Sequence, residues 1–264
     1  MPVADGGEGT LDALTPLVAQ RHEARVPDAF GRARDAAWVE LADGTAVVEA
    51  AQAIPFDPAR LDVTTASSRG LGELLAQVDA RRLVVALGGT ANMDAGEGLL
   101  EIVRELPPTR VACDVYTTLA DAPRVFGPQK GATSEQVAAL TARFAAHPLA
   151  ALPGSGAAGG LGAALASLGA ELVAGAELVL DLLGFDPAPY DLVVTGEGTV
   201  DVSTREGKAP AVVAERCARA GVRCLVFGGR VLDGEAIPLS GDPNRAYVDL
   251  VTLGSRLGWD HATL

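Results

Sequence analysis

Carboxylates and a lysine stand beside glycines in the stretch from Asp191 to Pro210, DLVVTGEGTVDVSTREGKAP. In this stretch Glu197, Asp201 and Lys208 follow a short apolar run that is typical of a buried parallel strand. Carboxylate oxygens are ligands that Mg²⁺ prefers, and a lysine ammonium suits a phosphate group. The spacing therefore predicts a site for a phosphate and its metal ion.

Lysine is rare in this sequence, although lysine and arginine together number 21. Lysine occurs only as Lys130, in PQKGA, and as Lys208, in REGKA, and each lysine precedes or follows a glycine. A compact ammonium on a flexible stem in such a loop favours contact with phosphate or substrate. The alternative is that both are solvated surface lysines.

Two further glycine-rich loops carry acidic residues. MPVADGGEGT contains Asp5 and Glu8, and GGTANMDAGEG contains Asp94 and Glu97. Carboxylates in tight turns could share a metal ion or bind a hydroxylated substrate. The alternative for each of them is helix capping or hydrogen bonding within the loop.

A third glycine-rich stretch, PGSGAAGGLGAALASLG, has Gly154, Gly156 and Gly159 at the spacing of a dinucleotide-binding fingerprint. That fingerprint should follow a strand, and the preceding HPLAALP is not strand-like, so a dehydrogenase is the weaker interpretation. We interpret the stretch as a loop before a helix over 161–168. Its backbone either approaches a phosphate or permits close helix packing.

The elements that would position these loops alternate between strands and helices, which predicts an α/β fold. Two of the expected strands run into glycine-rich loops, and open α/β sheets bind ligands at the carboxyl ends of their strands. The expected strands cover 63–65, 81–89, 110–115, 191–195, 223–229 and 247–253, with a β-hairpin over 36–50 that turns at Asp43 and Gly44. Expected helices cover 11–20 with Thr10 as N-cap, 68–80, a capping-box helix from Thr133 to Ala146, 177–183, and a helix that starts near Pro210 and ends at Gly221.

Composition excludes several classes of function. The net charge is −13, with 34 acidic against 21 basic residues, so we expect neither a nucleic-acid partner nor an anionic membrane surface. The three cysteines have no metal-binding spacing and fit a reduced cytoplasm, where we expect the protein to act. No apolar run approaches the ~20 residues of a membrane span.

Six motifs together resemble a known family. PVADGGEGT, LGGTANMDAGEG, ACDV, VFGPQKGAT, PGSGAAGGLGAAL and DLVVTGEGTVD with GKAP occur in the order and rough spacing of the bacterial glycerate kinases that form 2-phosphoglycerate. The resemblance implies phosphorylation of D-glycerate with ATP and Mg²⁺. It also implies a Rossmann-like domain, incomplete at its N-terminus, with a second α/β domain inserted; we place the first at 1–25 and 153–264 and the inserted one at 26–152.

The resemblance also implies roles for individual residues. Asp94 or Asp5 would accept the proton of the glycerate hydroxyl, and Glu197 and Asp201 would hold Mg²⁺. Lys208 would act in catalysis and bind the ATP phosphates. Residues expected to contact the substrate are Asp5, Glu8, Asp114 and Lys130, and those expected to contact ATP are Gly154, Gly156, Gly159, Gly160 and Lys208.

One alternative keeps the family but changes the function. Where the family usually has an arginine, in GEGR, this chain has Thr199, and the chain starts after the family's usual first strand. The missing strand fits either an active kinase whose start is assigned incorrectly or a truncated, catalytically inactive relative that acts as a binding or regulatory protein. Thr199 slightly favours the second, because an incorrect start would not cause it. The sequence leaves the oligomeric state open.

Overall fold

The computed structural model describes residues 1–113, 116–205 and 207–261, which divide into two compact units, residues 1–184 and 185–264. Within the described part of the first unit, a sheet has its strands in chain order: β1 Val18–Pro27, β2 Ala33–Leu41, β3 Thr45–Glu49, β4 Arg82–Ala86, β5 Thr109–Cys113 and β6 Glu171–Ala174. The pairs β1–β2 and β2–β3 are antiparallel, while β3 to β6 are parallel. The carboxyl ends of these four strands therefore meet at one edge of the sheet.

Helices cover both faces of this sheet. They are α1 Thr10–Ala13, α2 Ala50–Ala53, α3 Arg69–Leu75, α4 Glu97–Ile102, α5 Ala122–Phe126, α6 Ser134–Ala145, α7 Ala157–Ser167 and α8 Gly175–Leu182. The neighbouring residues Val47 and Val48 lie in two different apolar clusters, as do Val84 and Val85. Strands buried on both faces need apolar residues at successive positions, so the continuous apolar runs in the sequence form the centre of the sheet.

The second unit contains a parallel sheet with the order β7 Leu192–Val200, β8 Arg223–Val231 and β9 Ile237–Pro238. Its helices are α9 Ala209–Ala220 and α10 Ala246–His261. As predicted, α9 ends at Gly221, whose φ of 71° is left-handed and therefore suits glycine.

The predicted hairpin, the α/β class and most of the buried strands are confirmed. The hairpin pairs Trp38 with Val48 and Glu40 with Ala46 across the turn at Asp43 and Gly44. Thr133 and Gln136 form the predicted capping box at the start of α6.

Four predicted elements are wrong. The helix expected over 11–20 ends at Ala13, because Pro16 cannot continue it, and β1 begins at Val18. The strand expected over 63–65 is a turn. The strand expected over 247–253 belongs to α10, since Leu250, Leu253 and Leu257 recur at helical spacing. The strand expected to end at residue 195 continues as β7 through Gly196 and Gly198 to Val200, so the backbone does not turn at these glycines.

The division of the chain also differs from the predicted boundary at 152 and 153. Residues 153–184 supply α7, β6 and α8, and β6 extends the first sheet by pairing with β5. This segment therefore belongs with the unit that precedes it. The interpretation of an inserted domain remains a prediction. Across the described residues, we find no helix with the length and apolar character of a membrane span.

We predict that Thr133→Ala lowers the free energy of unfolding by about 1 kcal/mol, because the Thr133 hydroxyl accepts a hydrogen bond from the Gln136 amide at the start of α6. Thr141→Ala on the same helix is the control. Its hydroxyl donates back to the Val137 carbonyl and caps no free amide, so its removal should cost little. Urea denaturation of both variants measures the difference, and equal losses would contradict the capping role.

Candidate active site

The loop from Asp5 to Gly9 lies over the carboxyl ends of β3 to β6. A Cβ added at Gly88 would lie 2.4 Å from the Gly7 Cα, and one added at Gly6 would lie 2.6 Å from the Gly175 Cα. The Leu87 amide, just after β4, donates to the Gly6 carbonyl at 3.0 Å. Side chains at these glycines would separate the loop from the sheet, so glycine is needed for this close contact.

Asp5 and Glu8 project from this loop and are exposed. Among the described residues, neither carboxylate makes a hydrogen bond or an ion pair. The backbone that carries them is fixed, since the Thr10 hydroxyl donates to the Gly7 carbonyl at 2.7 Å. The structure therefore places these two predicted substrate-binding residues together, on a rigid loop at the edge where parallel sheets bind ligands.

Glu49, at the end of β3, was missed by the sequence analysis. Its carboxylate accepts hydrogen bonds from the Gly9 amide at 2.7 Å and from the Leu11 amide at 3.4 Å. Burial raises the pKa of this carboxyl group, the two amide donors oppose that rise, and Glu8 and Asp12 add to it. Thr10 was predicted to cap α1, but Gly9 is the N-cap residue and Glu49 supplies the acceptor. The only hint in the sequence is one acidic residue in the apolar run TAVVEAA.

Asp94, a predicted catalytic base, is surrounded by hydrogen-bond donors. Its two carboxylate oxygens accept from five groups, namely the Ser68 amide and hydroxyl, the Asn92 side-chain amide, and the backbone amides of Gly96 and Gly98. These bonds join the loop before α4 to the start of α3. The arrangement favours the alternative of hydrogen bonding within the loop over a role in proton transfer.

Lys130 is almost completely buried, and its ammonium donates to the Asn92 carbonyl at 2.7 Å. Burial lowers the pKa of Lys130 to about 8, against the opposing effect of the nearby Asp94 charge. The Lys130 ammonium therefore forms a hydrogen bond within the protein. Contact with a substrate, as predicted, would require Lys130 to leave this carbonyl.

The glycine-rich stretch before α7 packs against the same loop. A Cβ added at Gly159 would lie 2.1 Å from the Asn92 carbonyl oxygen, and one added at Gly160 would lie 2.5 Å from the Ala95 Cα. The Gly156 amide donates to Thr117, and the Gly160 amide donates to Gly156. The geometry favours close packing over a phosphate cradle for Gly154, Gly156, Gly159 and Gly160.

A groove of about 460 Å³ runs beside Asp94, between α4, α6 and residues 63–67. Apart from Asp94, whose oxygens accept the hydrogen bonds described above, the charged side chains that line it form ion pairs. Arg143 lies 2.5 Å from Glu97, and Glu101 lies 3.0 Å from Arg69. The groove therefore presents little uncompensated charge to a ligand.

The second unit brings together three predicted site residues with Thr204. Glu197, on β7, accepts a hydrogen bond from the Thr204 hydroxyl at 2.5 Å and lies 3.8 Å from the Lys208 ammonium. The same hydroxyl accepts from the Asp201 amide at 3.0 Å. Lys208 is the N-cap residue of α9, so it lies beside a helix N-terminus, which favours anions.

Asp114, predicted to contact the substrate, lies outside the described residues. Within the ranges that the structure describes, no cluster of three or more His, Cys, Asp or Glu side chains is placed to hold a metal ion. The remaining predicted residues form three groups: Asp5 with Glu8, then Asp94 and Lys130 with the glycine-rich stretch, and, in the second unit, Glu197, Asp201 and Lys208.

Comparison with known proteins identifies relatives over most of the chain. The family model described as "Glycerate kinase family" matches residues 1–104 and 106–248. Glycerate 2-kinase of Escherichia coli K12 is 35% identical over 81% of this chain and 71% of its own. Glycerate kinase of Bacillus subtilis 168 is 34% identical over 88% and 75%. A crystal structure assigned to glycerate kinase 2 of Salmonella typhimurium LT2 has a TM-score of 0.72 and 31% identity, over 89% of this chain and 78% of that one.

We predict that Asp94→Asn lowers the free energy of unfolding by roughly 1–3 kcal/mol, because one acceptor oxygen becomes a donor that faces other donors. Glu97→Gln in the same loop is the control, since it removes only an exposed ion pair and should cost less than about 1 kcal/mol. Guanidinium denaturation measures both. Full stability combined with lost turnover would instead identify Asp94 as a catalytic base.

We predict that Lys130 makes the free energy of unfolding depend on pH. The range runs from about 8, the pKa of Lys130 in the folded protein, to 10.5, its ordinary pKa. The unfolded chain binds more protons in this range, so the free energy of unfolding should rise with pH, by up to roughly 3 kcal/mol. Thermal unfolding at a series of pH values measures the rise.

Lys130→Met should remove this rise, whereas Lys208→Met should keep it. Burial also raises the pKa of the Cys224 thiol to about 12, which lowers stability as pH rises above 9.0. The difference between the wild-type protein and Lys130→Met therefore isolates the lysine. If the free energies of unfolding of the wild-type protein and Lys130→Met changed in parallel with pH, the assignment of the rise to Lys130 would be refuted.

Proposed function

Because the chain belongs to the glycerate kinase family, whose members are phosphotransferases, we propose that it phosphorylates D-glycerate with ATP to give 2-phosphoglycerate. The observation that carries this proposal is the pair of exposed carboxylates, Asp5 and Glu8, on a rigid loop at the carboxyl edge of β3 to β6. Carboxylates accept hydrogen bonds from hydroxyl groups, and glycerate offers two of them. The E. coli relative, named glycerate 2-kinase, supports the 2-hydroxyl as the acceptor.

Asp5 is the better of the two proposed bases. The oxygens of Asp94 are occupied by donors that hold the loop together, whereas Asp5 is exposed and can receive a proton. In the transfer, the glycerate hydroxyl oxygen bonds to the γ-phosphorus of ATP and loses its proton to Asp5. The bond between that phosphorus and the ADP oxygen breaks.

Lys208 and the start of α9 are the proposed phosphate site. The Lys208 ammonium is only partly buried, and Lys208 is the N-cap residue of the twelve-residue helix α9, so its charge and the helix dipole both favour an anion there. The stretch from Gly154 to Gly160 has internal partners for the Gly156 and Gly160 amides. We therefore assign that stretch to packing, and the phosphate to Lys208.

Glu197 and Asp201 fit a magnesium ion that is held mainly by phosphate oxygens and water. Kinases commonly use one or two carboxylates in this way, so a cluster of three ligands is not required. The Thr204 hydroxyl orients one oxygen of Glu197, and the other faces Lys208. When bound, the ion would supply neutralisation of phosphate charge.

We predict that Lys208→Ala and Asp5→Asn each lower kcat by about a hundredfold or more, without loss of fold, because one removes phosphate charge and the other the base. A coupled assay of ADP release with ATP, magnesium and D-glycerate measures this. Arg219→Ala is the control, since it removes an exposed cation from the last turn of α9, at the other end of the same helix.

Near-normal turnover by Lys208→Ala would refute its role. No turnover by the folded wild-type protein would refute the proposed activity and favour the inactive binding or regulatory relative. Nuclear magnetic resonance of the product distinguishes 2-phosphoglycerate from 3-phosphoglycerate.

A further inference from the structure

Glu49 is a buried carboxylate with an exposed fraction of 2%, and it touches the proposed substrate loop from below. It is the last residue of β3, at the same level of the sheet as Ala86 at the end of β4. Its two oxygens bind the amides of Gly9 and Leu11, on either side of Thr10. Glu49 thus connects the central sheet to the backbone that carries Asp5 and Glu8.

Within the part of the chain that the structure describes, neither amide has another hydrogen-bond acceptor. Gly9, the N-cap residue of α1, provides no side-chain cap and has a left-handed φ of 88°. A buried amide without an acceptor is costly, so the loop would have to move towards water if Glu49 were lost. The position of Asp5 and Glu8 therefore depends on a residue forty positions away.

An ionisable side chain is an expensive choice for this position. Burial opposes the charged form of Glu49, and the Glu8 and Asp12 carboxylates lie close enough to oppose it further. A buried ionisable residue departs from the usual apolar composition of a protein core, and such costly departures are expected at functional sites. The backbone amides of Gly9 and Leu11 need two acceptors. A carboxylate supplies two acceptor oxygens, whereas an amide side chain supplies only one.

We propose that Glu49 is a positioning residue that holds the Asp5–Gly9 loop in the geometry that binds glycerate. This inference rests on the proposed function. Glu49 itself is buried beneath the loop and does not touch the substrate. Its loss should affect glycerate more than ATP, since the proposed phosphate site is Lys208, which belongs to the second unit of the chain.

Three variants test the proposal. Glu49→Ala removes both acceptors and should raise the KM for D-glycerate roughly 10- to 100-fold with little change in the KM for ATP, because small displacements of binding groups are costly. Glu49→Gln keeps one acceptor oxygen for Gly9 but turns an amino group towards the Leu11 amide, so it should recover only part of the affinity. Thr109→Val is the matched control; it removes a buried hydroxyl that donates to the Pro107 carbonyl at the opposite end of β5.

A second measurement does not require activity. Amide hydrogen exchange of a peptide that covers residues 3–14 should become faster in Glu49→Ala, partly faster in Glu49→Gln and unchanged in Thr109→Val, under conditions in which all proteins are folded. Unchanged exchange in Glu49→Ala would overturn the proposal, as would an equal rise in both KM values.

The two proposals fail in different ways. If the wild-type protein shows no turnover of glycerate, the proposed function fails. Hydrogen exchange and calorimetric titration with D-glycerate then decide the role of Glu49. Faster exchange with weaker glycerate binding supports positioning, whereas faster exchange with unchanged binding overturns it.

Discussion

The contact between backbones at Gly7 and Gly88 is the constraint on which the proposed site depends. Because neither residue has a side chain, the acidic loop can lie directly on the turn that follows β4. A neighbouring contact between Gly6 and Gly175 ties the same loop to the turn after β6. The carboxylates of Asp5 and Glu8 thus start from a backbone that is fixed by the sheet, and little ordering of the loop remains to be done when a ligand binds.

The sequence predicted those parts of the fold that short patterns determine. Apolar runs placed the buried strands, and the turn at Asp43 and Gly44 placed the hairpin. The failure at 11–20 arose because Pro16 cannot continue α1, and the failure at 247–253 arose because its apolar residues fit the period of a strand as well as that of a helix. The strand β6 was missed because its four residues, Glu171–Ala174, become a strand only by pairing with β5.

The glycine-rich stretches show why a residue's type predicts chemistry less well than its partners do. Asn92 receives the Lys130 ammonium on its carbonyl, binds Asp94 through its side chain and lies against Gly159. Segments that are far apart in sequence therefore pack together, and the charged groups of Lys130 and Asp94 form hydrogen bonds that stabilise this packing. The same composition of acid, lysine and glycine would be expected at a phosphate site, and no local pattern separates the two cases.

The hydrogen bonds that a carboxylate accepts do distinguish an acid that serves structure from one that is available to a ligand. Asp94 accepts from five donors, so a proton or a substrate hydroxyl would first have to displace groups that hold the loop. Glu49 accepts from two, and both are amides of the loop that it supports. The exposed carboxylates of Asp5 and Glu8 keep their lone pairs for a ligand. Buried Glu49 and partly buried Asp94 fix the backbone, whereas the exposed acids remain for chemistry. This division depends on burial, which the sequence does not encode locally.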